Sequence, residues 1–315
     1  MTFAINNRYQ SYNREEWQKF QSSELEILPI EELTELVSIH DRLSQEDVRE
    51  VYGPLLHYIE MDYVYLDAFN RSKQSFFDKN KKDNGGYRHV PFIIGISGSV
   101  AVGKSTVARV LHQLLSETFP ERQVQMITTD GFLYPNEVLE QRGMLRRKGF
   151  PESYDMGLLI EFMTHVKTKD SPFSVPIYSH EVYDIIPGKY EIIDSPDILI
   201  VEGINVLQLP SNQQIYVSDF FDFSIYIDAE QDLIHQWFVE RFLLLLEMAK
   251  SDPNNYYNKM THFTREQAIA YADDVWCHIN LPNLIQHIKP TRSRADIILH
   301  KTHQHLFDFI HVSKY

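Results

Sequence analysis

Residues 92–106 read FIIGISGSVAVGKST, and this stretch decides the fold. The apolar run at its start predicts a buried strand. Two glycines then enclose four residues and are followed by Lys104 and Ser105, which completes the pattern G-x-x-x-x-G-K-S. Apolar residues recur at helical spacing over residues 107–115. The motif lies between a strand and a helix N-terminus, so we interpret it as a phosphate-binding P-loop, against a prior of about 5% for a chance match in a glycine-rich turn.

The residue types explain how this loop would hold a triphosphate. Glycines let backbone N–H groups wrap closely around a phosphate, and the helix adds the positive end of its dipole. We expect Lys104 to reach the β- and γ-phosphates and Ser105 to place its hydroxyl on Mg²⁺, so ATP and Mg²⁺ are the expected cofactors. The predicted nucleotide-binding residues of the loop and first helical turn are Gly98, Ser99, Val100, Ala101, Val102, Gly103, Lys104, Ser105 and Thr106.

Composition limits the class of protein. Of the 315 residues 43% are hydrophobic, enough for a packed core in one large α/β domain or two small ones. The formal net charge of −14 argues against a nucleic-acid binder. A single cysteine, Cys277, excludes an intramolecular disulfide, fits a reducing compartment, and is more often packed than catalytic. The chain has neither a secretory signal pattern nor an apolar run of about 20 residues, so we expect a cytoplasmic protein without membrane contact.

The order of the remaining segments predicts the architecture. Apolar runs predict further strands at 124–129, 197–203, 222–228 and 295–299, with an extended segment at 174–180. Helical periodicity predicts helices at 158–166, 232–248 and 265–279. Strands that alternate with helices predict a mostly parallel central sheet flanked by helices.

The N-terminal part, residues 14–70, is predicted to be mostly helical. Pro29 suits a first helical turn, and Ser44 suits an N-cap. Gly53 and Pro54 are expected to punctuate the next helical segment.

Three carboxylates end predicted strands, where ligands of parallel sheets bind. We predict that Asp130 is the base that takes the acceptor's proton, because a Thr-Asp-Gly sequence at a strand end leaves the aspartate side chain free. The alternative, at about one chance in three, is that Asp130 is a carboxylate that stabilises a turn or caps a helix. Glu202 could orient Mg²⁺ or its waters. Asp228 is expected to cap the following helix.

The basic run at 142–148 is a solvated loop or a lid over an anionic ligand, at about even odds.

Several longer blocks resemble bacterial type I pantothenate kinase. They are ISGSVAVGKSTVARVL, ITTDGFLYPN, KGFPESYDM, PIYSHEVYDIIP, DILIVEGINVLQ, VSDFFDFSIYIDA and INLPNLIQHIKPTRSRADIIL. The resemblance runs from about residue 30 to near the C-terminus. The P-loop alone is shared with uridine and phosphoribulose kinases, whereas TTDGF, GFPESYD and PIYSHEVYD are much more specific.

The resemblance implies the reaction and the site. ATP would phosphorylate the 4′-hydroxyl of pantothenate, the first step towards coenzyme A, with Asp130 and Lys104 catalytic. Ser105 and Glu202 would serve the metal. The implied pantothenate-binding residues are Tyr178, His180, Arg241 and Asn280. The family has a tyrosine where this chain has Phe238, which removes one hydroxyl from the substrate pocket.

The resemblance also implies regulation and assembly. Members are inhibited by coenzyme A, which overlaps the ATP site, and Arg109 and His180 match positions tied to that inhibition. The nucleotide base would lie near His40 and His305, the first being an asparagine in relatives. Members are homodimers associated through the long helix after the P-loop. We expect one kinase domain over 1–315, with about 1–85 as a helical extension packed on it.

Two other functions stay open at this point. A kinase of the same fold could act on a nucleoside or sugar phosphate, which a basic pocket beyond 142–148 would favour. A non-catalytic nucleotide switch would use the P-loop only to bind and would not need Asp130 as a base. The residues alone do not identify the acceptor.

Overall fold

A computed structural model of the chain describes residues 8–21, 30–78, 89–209 and 215–315. Pro29 and parts of the predicted extension at 1–85 lie outside these ranges. The prediction that the whole chain forms one domain stays a prediction.

Strands within the described ranges are β1 (Tyr9–Asn13), β2 (Phe92–Gly98), β3 (Val124–Thr128), β4 (Phe173–Ser179), β5 (Asp184–Ile193), β6 (Ile198–Glu202), β7 (Phe223–Ala229), β8 (Ile297–Lys301) and β9 (Phe307–Ser313). The helices are α1 (Arg14–Trp17), α2 (Ile30–Leu36), α3 (Gln45–Asp47), α4 (Gly53–Asp78), α5 (Lys104–Thr118), α6 (Asn136–Gln141), α7 (Met156–Thr168), α8 (Gln231–Ala249), α9 (Arg265–Val275) and α10 (Leu281–Asn283).

Seven strands form one sheet in the order β1-β9-β8-β7-β2-β6-β3. The five strands from β8 to β3 are parallel, whereas β9 and β1 add an antiparallel edge. Every residue of the central strand β2 is buried, as a strand covered by helices on both faces must be. The predicted mostly parallel α/β sheet is confirmed. Strand β4 matches the extended segment predicted at 174–180, whereas strands β1, β5 and β9 and the separate pairing of β4 with β5 were not predicted.

The N-terminal region is largely helical where it is described. Ser44 caps α3 in a capping box with Asp47, which confirms that prediction. The break expected at Gly53 and Pro54 is wrong, because the helix continues through them from a π-helical turn, Val48–Tyr52. The N–H of Gly53 donates to Val48 O in this wider turn. The missing N–H of Pro54 thus falls where the hydrogen-bond ladder is already irregular.

Among the described ranges, the helices are all too short or too polar to cross a membrane.

Candidate active site

The P-loop connects β2 to α5 at the carboxyl edge of the sheet. Gly103 occupies the N-cap position of α5 with φ 92°, and no side chain among the described residues caps the helix there. The first-turn N–H groups therefore suit an anion better than a neutral cap. Ala101 also has a positive φ of 58°, the kind of backbone strain that is found at functional turns. Lys104 Nζ donates to Ser99 O at 2.8 Å, which folds the lysine back along the loop.

The sheet register brings Glu202 beside the P-loop. On β6, Glu202 lies opposite Ile96 of β2 and Thr128 of β3, so it ends its strand between the loop and the third strand. Ser105 Oγ donates to Glu202 Oε1 at 3.1 Å. Burial raises the pKa of Glu202, and Lys104 opposes that rise. Burial likewise lowers the pKa of Lys104, while the Glu202 and Asp130 carboxylates favour its charged form.

Asp130 lies just beyond β3, in the 3₁₀ turn Thr129–Phe132. His180 Nε2 is 3.8 Å from Asp130 Oδ2, and the rings of His180 and Tyr178 meet edge to face at 5.2 Å. Partial desolvation lowers the pKa of His180, although the Asp130 carboxylate opposes this and the side chain remains 60% exposed. The end of the β4–β5 hairpin, which carries Tyr178 and His180, therefore lies next to Asp130, the candidate base.

Two other predicted acceptor residues carry buried polar atoms without a hydrogen-bond partner in the described ranges. They are Nε of Arg241, on α8, and Nδ2 of Asn280, at the end of the π-helical turn Trp276–Asn280. Arg241 lines a cavity with Lys104 and Ser105, which places it beside the phosphate loop. Phe238, one turn earlier on α8, packs against Trp276 with ring centroids 6.0 Å apart.

Lys148 is a further candidate site residue, which the sequence did not single out because it appears there as one member of a basic run. It is 9% exposed, and its Nζ donates to Asn136 Oδ1 and Tyr183 O, each at 2.6 Å. The same Nζ lies 4.9 Å from the ring centroid of Tyr178. Burial lowers the pKa of Lys148 to about 8, while Asp184 and Asp130 favour its charged form.

Two arginines of that run, Arg142 and Arg147, behave differently. Arg142 lies over the ring of Tyr134 at 4.1 Å, and Arg147 pairs with Glu152 and lies over the ring of Phe150. These contacts engage both guanidinium groups on the surface. They weigh against a basic sugar-phosphate pocket built from residues 142–148.

The far end of the P-loop cavity is lined by the chain before α3. His40 and Asp41 share this cavity with Ala101 and Trp237. His305 stacks on Trp237 with ring centroids 4.2 Å apart, and it meets His40 edge to face at 5.3 Å. Burial lowers the pKa of His305 to about 4, so it is neutral near pH 7. The two histidines implied by the resemblance are therefore neighbours.

Arg109 joins α5 to the N-terminal region. Its Nε donates to Leu36 O at 2.8 Å, and its Nη2 donates to Ser38 Oγ at 2.7 Å. Burial lowers the pKa of Arg109. Its guanidinium group thus holds the segment that borders the cavity.

Two expectations from the sequence are wrong. Asp228 does not cap α8: Glu230 occupies the N-cap position, and Asp228 Oδ2 instead pairs with Arg292 Nε at 2.6 Å. The partner comes from a distant 3₁₀ segment that local sequence does not reveal. Cys277 is exposed rather than packed, because Trp276 takes the buried position of that turn.

The donor set at Ser105 and Glu202 suits a hard cation. Both offer oxygen ligands, which Mg²⁺ prefers. No group of three or more His, Cys, Asp or Glu within the described part of the chain could hold a metal by itself. An ion here would depend on phosphate oxygens and water for its remaining ligands.

Comparison with known proteins identifies the family. The model of the phosphoribulokinase/uridine kinase family matches residues 93–242. The pantothenate kinase of Lacticaseibacillus casei (strain BL23) is 54% identical over 309 residues, 98% of each chain. That of Enterococcus faecalis is 54% identical over 308 residues, again 98% of each chain. The chain belongs to the pantothenate kinase family.

A solved structure supports the fold independently. D-glycerate 3-kinase from Cryptococcus neoformans var. grubii superimposes with a TM-score of 0.53, covering 81% of this chain and 98% of its own, at 13% identity. At that identity the likeness concerns the fold alone. The pantothenate kinase family member described here is thus an ATP-dependent kinase on a P-loop kinase scaffold.

Proposed function

We propose that this kinase transfers the γ-phosphoryl group of ATP to the 4′-hydroxyl of pantothenate in the cytoplasm. The observation that carries the choice of acceptor is the 54% identity, over 98% of the chain, to proteins named pantothenate kinase. The site supports the same reaction, because a P-loop lysine, a strand-end aspartate and a polar hairpin end converge on one edge of the sheet.

Asp130 would act as the base. Its carboxylate would take the proton of the acceptor hydroxyl as that oxygen bonds to the γ-phosphorus and the bond to the β–γ bridging oxygen breaks, which leaves ADP. Lys104 would stabilise the charge on the β- and γ-phosphates. When bound with ATP, Mg²⁺ neutralises phosphate charge, and Ser105 and Glu202 would hold it.

The acceptor would lie between the hairpin and α8. Tyr178 and His180 border Asp130 on one side, and Arg241 and Asn280 bring unpartnered buried donors that suit a carboxylate and amide groups. Phe238 offers no hydroxyl, so its contribution to this pocket would be apolar.

The proposed regulation is feedback inhibition by coenzyme A at the nucleotide end of the site. Arg109 holds the cavity-lining segment through Leu36 O and Ser38 Oγ. His180 stands beside Asp130 at the other end. An inhibitor that spans both ends would contact both regions and exclude ATP.

A coupled ADP-release assay tests the function. Pantothenate-dependent ADP release that coenzyme A suppresses competitively with ATP would support both substrate and regulation. Dependence on pantothenate without suppression would keep the enzyme and reject the inhibition. Absence of any dependence on pantothenate would reject the proposed acceptor.

Lys148 should make the reaction sensitive to alkaline pH. Its pKa is lowered to about 8, so the ammonium charge beside Tyr178 and Asp130 is present below that pH and is lost as the pH rises through it. We expect kcat/KM for pantothenate to fall about tenfold per pH unit above this value. In Lys148→Met, the profile should be lower and should lack that fall. If kcat/KM fell in the same way above this pH in both proteins, Lys148 would not be part of the acceptor site.

We further propose a homodimer, formed through α4. The P-loop helix α5, which the resemblance favoured, has Glu117 as its only exposed side chain. By contrast, α4 exposes a run of large apolar side chains: Met61, Val64, Tyr65, Phe69, Phe76 and Phe77. A second copy related by a two-fold axis would bring the same apolar face onto itself. A second copy would cover these apolar side chains, whose exposure to water is unfavourable.

Sedimentation of a charged variant checks the interface. We expect Tyr65→Glu/Phe69→Glu to sediment as a monomer where the unmodified chain sediments as a dimer, because buried carboxylates without partners are strongly unfavourable. Met248→Glu is the matched control, since Met248 is a comparably exposed apolar residue on α8. A dimer that survives the α4 substitutions would exclude this face.

A further inference from the structure

An ion pair is buried directly behind the phosphate loop. Lys301 Nζ, at the end of β8, lies 2.9 Å from Asp41 Oδ1, and the two side chains are 1% and 3% exposed. The residues are 260 positions apart in the chain. Neither was singled out by the sequence, and the reaction described above does not use either.

The pair touches the loop backbone at its left-handed turn. A Cβ on Gly103 would lie 2.3 Å from Asp41 Oδ2 and 2.5 Å from Lys301 Nζ. A larger residue at position 103 would therefore collide with the ion pair, and the positive φ of 92° also favours glycine there. Since Gly103 directly precedes Lys104, any shift of the pair would move the turn that begins α5.

The same pair joins the other walls of the nucleotide cavity. Ser38 N donates to Thr106 Oγ1 at 3.1 Å, which holds the segment that leads to Asp41 against α5. His305 Nδ1 lies 3.3 Å from Asp41 Oδ1. His40, adjacent in the chain, accompanies Asp41 in the lining of the cavity. Asp41 therefore contacts or adjoins the P-loop, the helix after it, His40 and His305.

A buried ion pair is not an efficient source of stability. Desolvation offsets most of the attraction, and well-packed apolar replacements of such pairs are often equally stable. Burial would raise the pKa of Asp41, but Lys301 and hydrogen bonds lower it overall, so the aspartate is charged near neutral pH. What the pair does provide is a fixed geometry between three segments that are distant in sequence.

We propose that Asp41 and Lys301 form a positioning pair for the nucleotide, which fixes the Gly103 turn against the cavity wall formed by His40 and Trp237, on which His305 stacks. The inference rests on the proposed function in so far as the nucleotide is ATP. It assigns to the pair the alignment of the binding site and no contact with the acceptor.

Calorimetric titration with Mg–ADP, without pantothenate, tests the pair directly. We expect Asp41→Asn to weaken Mg–ADP binding at least about tenfold, because the buried ammonium of Lys301 then lacks an anionic partner and the support of the Gly103 turn is weakened. KM for ATP should rise in parallel, whereas KM for pantothenate should stay within about threefold. A chain that binds Mg–ADP but releases no ADP with pantothenate would contradict the proposed function. The effect of Asp41→Asn on Mg–ADP binding would still test the positioning role of the pair.

Two further variants separate positioning from stability. The double variant Asp41→Asn/Lys301→Met carries no unpaired buried charge, so it should melt near the unmodified protein and still bind Mg–ADP weakly. Asp47→Asn is the matched control: Asp47 is 2% exposed and pairs with Arg14 at 2.7 Å, away from the cavity. It should lower the melting temperature and leave Mg–ADP affinity unchanged. Unchanged affinity in the double variant, or equal weakening in Asp47→Asn, would overturn the proposal.

Discussion

Replacement of Lys104 by alanine is expected to lower kcat about 10³-fold or more, because an ammonium aimed at developing phosphate charge in a desolvated site cannot be replaced by water. In the structure this side chain is partly buried, donates to Ser99 O and lies near the carboxylates of Glu202 and Asp130. Its loss would leave the transferring phosphoryl group next to two anions with one cation fewer.

Single-turnover kinetics at saturating ATP measures this loss apart from binding. Lys250→Ala is the control, because Lys250 pairs with Glu247 on the exposed end of α8 and should keep kcat within about twofold. Circular dichroism establishes that the Lys104 variant is folded. Normal turnover by the folded variant would end the P-loop assignment.

Replacement of Asp130 by asparagine is the second large effect, with an expected fall in kcat of about 10³-fold. Asparagine keeps the size of the side chain but cannot accept the acceptor's proton. Mg–ADP affinity should change by less than about threefold, since Asp130 lies beyond β3 and not in the P-loop.

Glu202→Gln is the informative comparison for Asp130. Glu202 accepts from Ser105, so its variant should need more Mg²⁺ for half-maximal activity. Asp130→Asn should not. If Asp130→Asn instead weakens nucleotide binding and keeps turnover, the aspartate is a metal or structural residue. Cellular function that survives this substitution would favour the nucleotide-switch alternative.

Much of the central sheet could be predicted because its signals are local. Strand β2, the P-loop and α5 are contiguous, and their apolar periodicity and glycine spacing are visible within one short stretch. The positions of Asp130 and Glu202 at strand ends could be predicted for the same reason, since each directly follows or ends an apolar run whose partners are parallel strands. The edge strand β1 was not predicted, because its partner β9 lies nearly the whole chain away.

What sequence by itself determined is the phosphate loop, the parallel order of strands and helices, and the strand-end carboxylates, because each depends on neighbours within a few residues. Tertiary structure alone decided that Lys148 is buried while the adjacent Arg147 pairs on the surface, and that Asp228 meets Arg292 instead of capping α8. It also decided that Asp41 and Lys301 meet behind Gly103. The physical reason is that burial and charge pairing depend on which distant segments pack together, and a pattern of adjacent residues does not contain that information.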